Sequence, residues 1–219
     1  MVNTLPHEDL RVRANVYRLL GGLFLTEPTS EALDILRLDE TWEIFSIVAP
    51  AANLPQWRSL LISDGLSLEA VRLEYHRLFS VPTGPYVFPY ESCYSVPEPP
   101  GPLMGPATIA VVNAYAEAGF MLSPEFQDAP DHLGVELRFV AELLDREAQA
   151  LEEGDASEAD RFAFLRSRFC GEHLSLWLGK VADRIRASGV SDFYAGLSSL
   201  ATGMVAAECD PAQLRRSDP

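Results

Sequence analysis

An acid beside a histidine is the first arrangement in this sequence with the residue types for chemistry. Asp131 and His132 are adjacent, and Glu136 follows His132 by one helical turn, where it can orient the imidazole ring. A carboxylate and an imidazole can exchange protons. Adjacent residues on a helix do not face each other, however, and the motif contains no nucleophile. The motif therefore gives only weak support to a helical enzyme or metalloprotein that uses these three residues. We keep that function as an alternative to the one that the remaining sequence features favour.

The cysteines and histidines form no recognisable metal or redox motif. Cys93, Cys170 and Cys209 are odd in number and widely separated, without a Cys-x-x-Cys spacing, and no His-Glu-x-x-His motif occurs. Zinc sites, disulfide frameworks and metalloprotease centres each require such spacings. We therefore predict no metal site, no cofactor and a reducing compartment.

A proline-rich segment is the second feature that points to function. Residues 81–106 contain eight of the 16 prolines, and no helix is expected to cross them, because proline lacks an amide donor. A connection of this length is usually a linker or functional. It also carries Tyr86, Phe88, Tyr90 and Tyr94, whereas solvated linkers are poor in aromatic residues. We expect it to contact the folded protein or a partner.

Helices must position these residues, since apolar side chains recur at helical spacing nearly throughout and no strand alternation is evident. The fold class predicted is all-α. We expect a single domain over residues 1–219 with about ten helices. An N-terminal half at about 8–80 and a C-terminal half at about 107–207 are joined by the proline-rich connection at 81–106.

Local signals place several helix ends. Ser67 is expected to cap the helix that follows it, and Gly119 to end the helix predicted at 107–118. Pro130 and Asp131 are predicted in the first turn of the next helix. An acid there contributes only about 0.3–1 kcal/mol through the helix dipole, so its removal should leave the fold intact.

Charge and hydropathy limit the partners. The 219 residues include 17 basic and 32 acidic side chains, a net charge of −15, which argues against nucleic acid as a partner. An acidic surface favours a basic or cationic-headed partner, with plain solubility as the alternative. The apolar runs are too short for an integral membrane segment, and Glu8 and Asp9 argue against a signal peptide. We expect a cytoplasmic protein.

Five motifs, in order between about Ala14 and Val205, resemble the TorD/DmsD family of redox-enzyme maturation chaperones. The loop has Tyr90 where some members carry tryptophan. The motifs are Glu74-Tyr75-x-x-Leu78-Phe79, Pro89-Tyr90-Glu91-Ser92-x-Tyr94, Pro130-Asp131-His132-Leu133-x-x-Glu136-Leu137-x-Phe139, Phe169-x-x-x-His173-Leu174-x-x-Trp177 and Phe193-Tyr194-x-x-Leu197.

The resemblance implies a non-enzymatic cytoplasmic chaperone that binds the twin-arginine leader of a molybdenum-containing oxidoreductase subunit. It would support folding and cofactor insertion before export. Some members form domain-swapped dimers, and the long connection permits this, so the chain is expected to be a monomer or a domain-swapped dimer. The positions that match the family's leader-binding residues are Tyr75, Leu78, Phe79, Pro89, Tyr90, Asp131 and His132.

The residues themselves are compatible with such a ligand. A cationic head followed by an apolar segment needs an apolar groove with carboxylates at one end. We expect the loop aromatics with Leu78 and Phe79 to form the groove, and Glu74, Glu91 and Asp131 to form its acidic end. The alternative is that all these side chains are buried and hold the connection onto the two helical halves.

Overall fold

Helices account for nearly all regular structure in the computed structural model, which describes residues 6–50, 52, 54–63, 66–81, 84–98 and 100–209. These residues contain no β-strand, so the predicted all-α fold is confirmed. A π turn at Cys170–Leu174 joins α8 to α9 without a break. The helices are α1 (Pro6–Leu25), α2 (Ser30–Arg37), α3 (Asp39–Val48), α4 (Leu54–Leu61), α5 (Leu68–Tyr75), α6 (Pro106–Glu117), α7 (Leu133–Glu153), α8 (Ala156–Phe169), α9 (Ser175–Ser188) and α10 (Asp192–Glu208).

Capping explains where several helices begin. The Ser67 hydroxyl accepts a hydrogen bond from the amide of Ala70, as its position before α5 predicts. Gly119, just beyond α6, has a φ of 69°, which glycine adopts without strain. The predicted start of α7 is wrong: His132 is the N-cap, so Asp131 lies before the helix rather than in its first turn.

The most extensive helix–helix contact joins α1 to α7. A Cβ atom on Gly21 would lie 2.7 Å from the carbonyl oxygen of Gly134, and one on Gly134 would lie 2.5 Å from that of Gly21. The two backbones therefore touch, and a long face of α7 is buried against α1. Because α1 begins the N-terminal half and α7 belongs to the C-terminal half, this crossing joins the two.

A second contact between the halves runs through α10. It packs on α9, and also on α3, α4 and α5 of the N-terminal half. Its Phe193 and Tyr194 are fully buried, and the Tyr194 hydroxyl donates to the carbonyl oxygen of Leu23. The two halves share one continuous hydrophobic core.

The connection between α5 and α6 is tied to both halves. The amide of Val87 donates to the carbonyl of Leu78 at 2.7 Å, and the amide of Leu133 donates to that of Pro89 at 2.8 Å. Tyr94 is buried against Trp177, with ring centroids 5.7 Å apart. Among its described residues this segment forms no α-helix, only a π turn at His76–Ser80 that directly follows α5 and a 3-10 turn at Glu91–Cys93. None of the described helices has the length and apolar character needed to cross a membrane.

Candidate functional site

The residues predicted to bind a peptide meet where α5, the connection and the start of α7 come together, but most of them are buried. Only Glu74, Tyr75 and Tyr90 are half-buried. The buried residues are Leu78, Phe79, Pro89, Glu91, Asp131 and His132. In this structure Leu78 and Phe79 therefore belong to the core rather than to the wall of a surface groove.

Asp131 holds the connection in place. Its side chain is 0% exposed, and one carboxylate oxygen accepts the amide N–H of Ser92 at 2.8 Å. Its backbone carbonyl accepts the amide N–H of Glu91 at 3.0 Å. The expected role of Asp131 as a helix-start acid is thus replaced by a buried bond between two segments distant in sequence.

His132 is a buried cap rather than an exposed proton carrier. Its Nδ1 accepts the amide N–H of Gly134 at 3.0 Å, which places the proton of the neutral ring on Nε2. Burial lowers the pKa of His132 to about 4, so the ring is uncharged at neutral pH. The spacing of His132 and Glu136 predicted that Glu136 orients this ring, and that prediction is wrong. The carboxyl group of Glu136 accepts a hydrogen bond from Trp177 instead.

Two further carboxyl groups, those of Glu91 and Glu136, are buried at the proline-rich connection. Glu91 accepts from Nδ1 of His173 at 2.9 Å, and Glu136 accepts from Nε1 of Trp177 at 3.3 Å. Burial and the nearby charge of Glu91 raise the pKa of Glu136 well above its usual value. His173 and Trp177 lie in the last motifs quoted above, but nothing in their spacing shows that they meet Glu91 and Glu136.

The geometry gives little support to the enzyme alternative. Asp131, His132 and Glu136 each bond to a different partner, namely Ser92, Gly134 and Trp177. No group of three or more potential metal ligands occurs among the described residues. These side chains hold segments of the protein together.

Buried Glu136 should make stability depend on pH. Above pH 4.5 the carboxyl loses its proton in the unfolded chain but keeps it in the folded one, so stability falls as the pH rises until the raised pKa is passed. Glu136→Gln mimics the protonated acid and should remove this slope. Urea unfolding between pH 5 and 8 measures it, with exposed Glu153→Gln as the control. Parallel curves for Glu136→Gln and the wild type would contradict the assignment.

Half-buried aromatic side chains form the exposed surface above this cluster. The Tyr75 hydroxyl donates to the carbonyl oxygen of Leu25 at 3.2 Å, and the Tyr90 hydroxyl donates to the carboxylate of Asp128 at 3.0 Å. Tyr86 and Phe88 lie edge to face, with ring centroids 4.8 Å apart. Hydrogen bonds therefore fix the hydroxyl groups of Tyr75 and Tyr90, while part of each of the four rings is exposed to solvent.

A groove of about 430 Å³ adjoins this surface between α1, α7 and the loop that joins α6 to α7, and its polar lining includes Arg18, Arg138 and Glu142. Leu25 belongs to both, since it lines the groove and binds Tyr75. Met121 is 88% exposed at its edge. The apolar lining consists of Leu25, Phe120, Met121, Leu122, Phe126 and Val135, and together with Tyr75, Tyr86, Phe88 and Tyr90 we name this surface the aromatic groove.

Carboxylates lie at the tyrosine end of the aromatic groove. Asp128 and Glu27 are both exposed, and Glu27 pairs with His76 at 2.9 Å. Burial, with the charges of Glu27 and Asp128, raises the pKa of Tyr75 to about 12. The acidic end expected from the sequence therefore has different members: Glu91 and Asp131 are buried, and the half-buried Glu74 accepts from the hydroxyl of Ser191 at 2.6 Å.

The sequence analysis missed the loop between α6 and α7. Phe120, Met121, Leu122 and Phe126 follow the helix stop at Gly119 and show no helical or strand periodicity. Such a cluster of apolar residues in a loop is itself a signal, because loops without a binding or packing role are mostly polar.

The fold and the site define an all-α protein whose buried carboxyl and histidine side chains hold segments together and whose surface carries an aromatic groove. A family model described as "Nitrate reductase delta subunit" matches residues 48–183. The chain therefore belongs to the nitrate reductase delta subunit family, and the resemblance to TorD/DmsD-type redox-enzyme maturation chaperones is confirmed.

Two curated relatives match nearly the whole chain. The chaperone protein TorD of Shewanella loihica is 27% identical over 209 residues, which cover 91% of this chain and 92% of the relative. That of Shewanella pealeana is 22% identical over 211 residues, covering 91% and 89%. The chain is thus a member of a family of maturation chaperones, and these relatives are named as chaperones rather than enzymes.

A solved structure supports the fold. A chain from Archaeoglobus fulgidus, described as a redox enzyme maturation protein, superposes with a TM-score of 0.51 at 17% identity. The match covers 94% of this chain and 98% of that chain. At this identity the likeness concerns the all-α arrangement alone.

Proposed function

We propose that this chaperone binds the twin-arginine leader of a molybdenum-containing oxidoreductase subunit in the aromatic groove. Binding takes place in the cytoplasm and keeps the catalytic subunit from export until its cofactor is inserted. The observation that carries the proposal is an apolar groove that adjoins half-buried tyrosines and exposed carboxylates at one end. This matches a ligand with a cationic head and an apolar segment.

The arginine pair would bind at the tyrosine end. Asp128 already accepts from Tyr90, and its exposed carboxylate retains lone pairs for a guanidinium group. Guanidinium and carboxylate form paired hydrogen bonds that a lysine cannot reproduce. The net charge of −15 adds a long-range attraction for the cationic head.

The apolar segment of the leader would lie along the remaining groove. Phe120, Leu122 and Phe126 are half-buried, and Met121 is almost fully exposed, so each has apolar surface left to bury. Each square ångström of apolar surface removed from water contributes about 25 cal/mol. Methionine in particular adapts its shape to different apolar ligands.

The buried residues of the predicted site act indirectly, by positioning the tyrosines of the aromatic groove. Asp131 and Glu91 hold the connection against α7 and the π turn, and His132 caps α7 while its ring packs on Tyr90 at 5.2 Å. They therefore set the position of Tyr90 without touching the leader. Leu78 and Phe79 support Tyr75 in the same way, with the rings of Tyr75 and Phe79 5.6 Å apart.

Two substitutions should separate the apolar and ionic contributions. Tyr90→Ala should weaken leader binding about tenfold, or roughly 1.4 kcal/mol, with an unchanged salt dependence. Asp128→Asn should weaken it about fivefold at low salt and flatten the salt dependence, because screening acts on the lost ion pair. Calorimetric titration of a synthetic leader at 50 and 300 mM salt measures both. Phe164→Ala and Asp183→Asn, exposed changes on α8 and α9, serve as controls.

The result that would overturn this assignment is equally specific. If both groove variants bind the leader with wild-type affinity and salt response while their thermal melts are unchanged, the leader does not occupy the aromatic groove.

A further inference from the structure

A second apolar groove, of about 230 Å³, lies between α1, α2 and α3. The two grooves are neighbours on α1, because the guanidinium of Arg18, which lines the aromatic groove, donates to the side-chain oxygen of Asn15, which lines this one, at 2.9 Å. We name it the N-terminal groove. Its apolar lining consists of Val12, Val16, Leu19, Ile35, Ile44 and Phe45.

The N-terminal groove leaves large aliphatic side chains in water. Ile35, a lining residue, is 45% exposed, and Leu38 and Ile47, each three positions after the lining residues Ile35 and Ile44, are 52% and 72% exposed. A single exposed aliphatic residue is ordinary, but several around one groove are typical of an interaction site. An occupant would bury them.

The floor of the groove is rigid before anything binds. Phe45 is fully buried and packs on Trp42 and Trp57, with ring centroids 5.5 and 6.1 Å away. The hydroxyl of Thr41 donates to the carbonyl of Ile35 at 2.6 Å, so this polar group is satisfied. The groove therefore offers an apolar wall that costs little ordering entropy on binding.

Exposed glutamates lie one helical turn before this apolar wall on all three helices, and we call them its acidic rim. Residues four apart share a helix face. Residues 31–43 contain five carboxylates, of which Asp34 pairs with Arg37 at 3.6 Å and Asp39 pairs with Arg58. Each helix has a glutamate four positions before a lining residue: Glu8 before Val12, Glu31 before Ile35 and Glu40 before Ile44.

We propose that the N-terminal groove binds an amphipathic helix of a partner protein that carries lysine or arginine beside its apolar face. An amphipathic helix in an apolar groove is an established mode of recognition, and the acidic rim selects the sign of its flanking charge. A second copy of this chain, itself at −15, and an anionic lipid surface are both repelled by the same rim. The proposal does not depend on leader binding at the aromatic groove.

The test uses two synthetic 18-residue amphipathic helices with one apolar face of leucine and alanine. One has lysine on its polar face and the other has glutamate. Calorimetric titration of the full chain should show one site for the lysine peptide and at least tenfold weaker binding of the glutamate peptide. Ile35→Arg should weaken the lysine peptide at least tenfold. Leu176→Arg, which changes a large aliphatic residue on α9 that is 61% exposed, should not.

Charge variants complete the experiment. Glu31→Gln with Glu40→Gln should weaken the lysine peptide about fivefold and flatten its salt dependence, whereas Glu69→Gln with Glu153→Gln should leave both unchanged. Equal binding of the two peptides, or wild-type binding by Ile35→Arg, would overturn the proposal. Loss of leader binding in Ile35→Arg would also overturn it, because the leader would then occupy the N-terminal groove. So would self-association of the wild type that Ile35→Arg abolishes, because the occupant would then be a second copy of this chain.

Discussion

Gly134→Ala should destabilise the protein by about 3 kcal/mol, although alanine is the better helix former. The added methyl carbon would lie 2.5 Å from the carbonyl oxygen of Gly21 and 2.8 Å from Cβ of Leu25. Backbone atoms cannot swing away, so α1 and α7 must separate, and overpacking of this kind costs 1–3 kcal/mol or somewhat more. Urea unfolding followed by circular dichroism measures the loss.

Gly179→Ala is the matched control. Gly179 also lies inside a helix, α9, but a Cβ atom there would meet nothing within 4 Å. This variant should be unchanged or more stable by about 0.5–1 kcal/mol, the usual advantage of alanine over glycine in a helix. If both variants behave alike, helix propensity rather than the crossing decides the outcome, and the close approach of α1 and α7 is not a constraint.

The same crossing bears on the aromatic groove. Leu25 on α1 and Val135 on α7 both line it, and Gly134 sets their separation. A Gly134→Ala protein that still folds in the cold should therefore bind the leader more weakly than wild type.

Asp131→Ala should cost about 3 kcal/mol, well above what the removal of a helix-start acid would cost. The carboxylate is fully buried and accepts the amide of Ser92, so its loss leaves that donor without a partner away from water. An unsatisfied buried group costs about 1–3 kcal/mol, and more when its partner was charged. Amide hydrogen exchange should show the amide of Ser92 losing its protection as the connection loosens.

Asp131→Asn separates the hydrogen bond from the charge. The amide oxygen of asparagine can still accept from Ser92, and its NH₂ group takes the place of the carboxylate oxygen that has no partner. We expect a loss of about 1 kcal/mol or less. Wild-type stability in Asp131→Ala would show that the bond between the connection and α7 is not needed to hold the fold.

Local sequence determined most of the helices. Ser67 before an apolar stripe, and glycine after one at Gly119, act within a single turn, where backbone hydrogen bonds and caps decide the structure. The prolines of the connection act just as locally, by removing amide donors. The family motifs are also readable without a fold, because they are defined by residue type and spacing.

Tertiary structure alone decided which motif residues face solvent. Glu74, Tyr75, Leu78 and Phe79 are close in sequence, yet the first two are half-buried and the last two lie in the core, since α10 and the connection cover that side. Asp131 looked like a helix-start acid because nothing near it in sequence shows that Ser92 would donate to it.

The aromatic groove is likewise assembled from distant segments. Leu25 and Val135 meet the loop between α6 and α7 because Gly21 and Gly134 let α1 and α7 touch. Tyr75 and Tyr90 join them through hydrogen bonds to Leu25 and to Asp128. Periodicity reports which face of a helix is apolar, since that depends on residues one turn apart. What covers that face depends on segments a hundred residues away, so burial, and with it the exposed binding surface, was decided by packing.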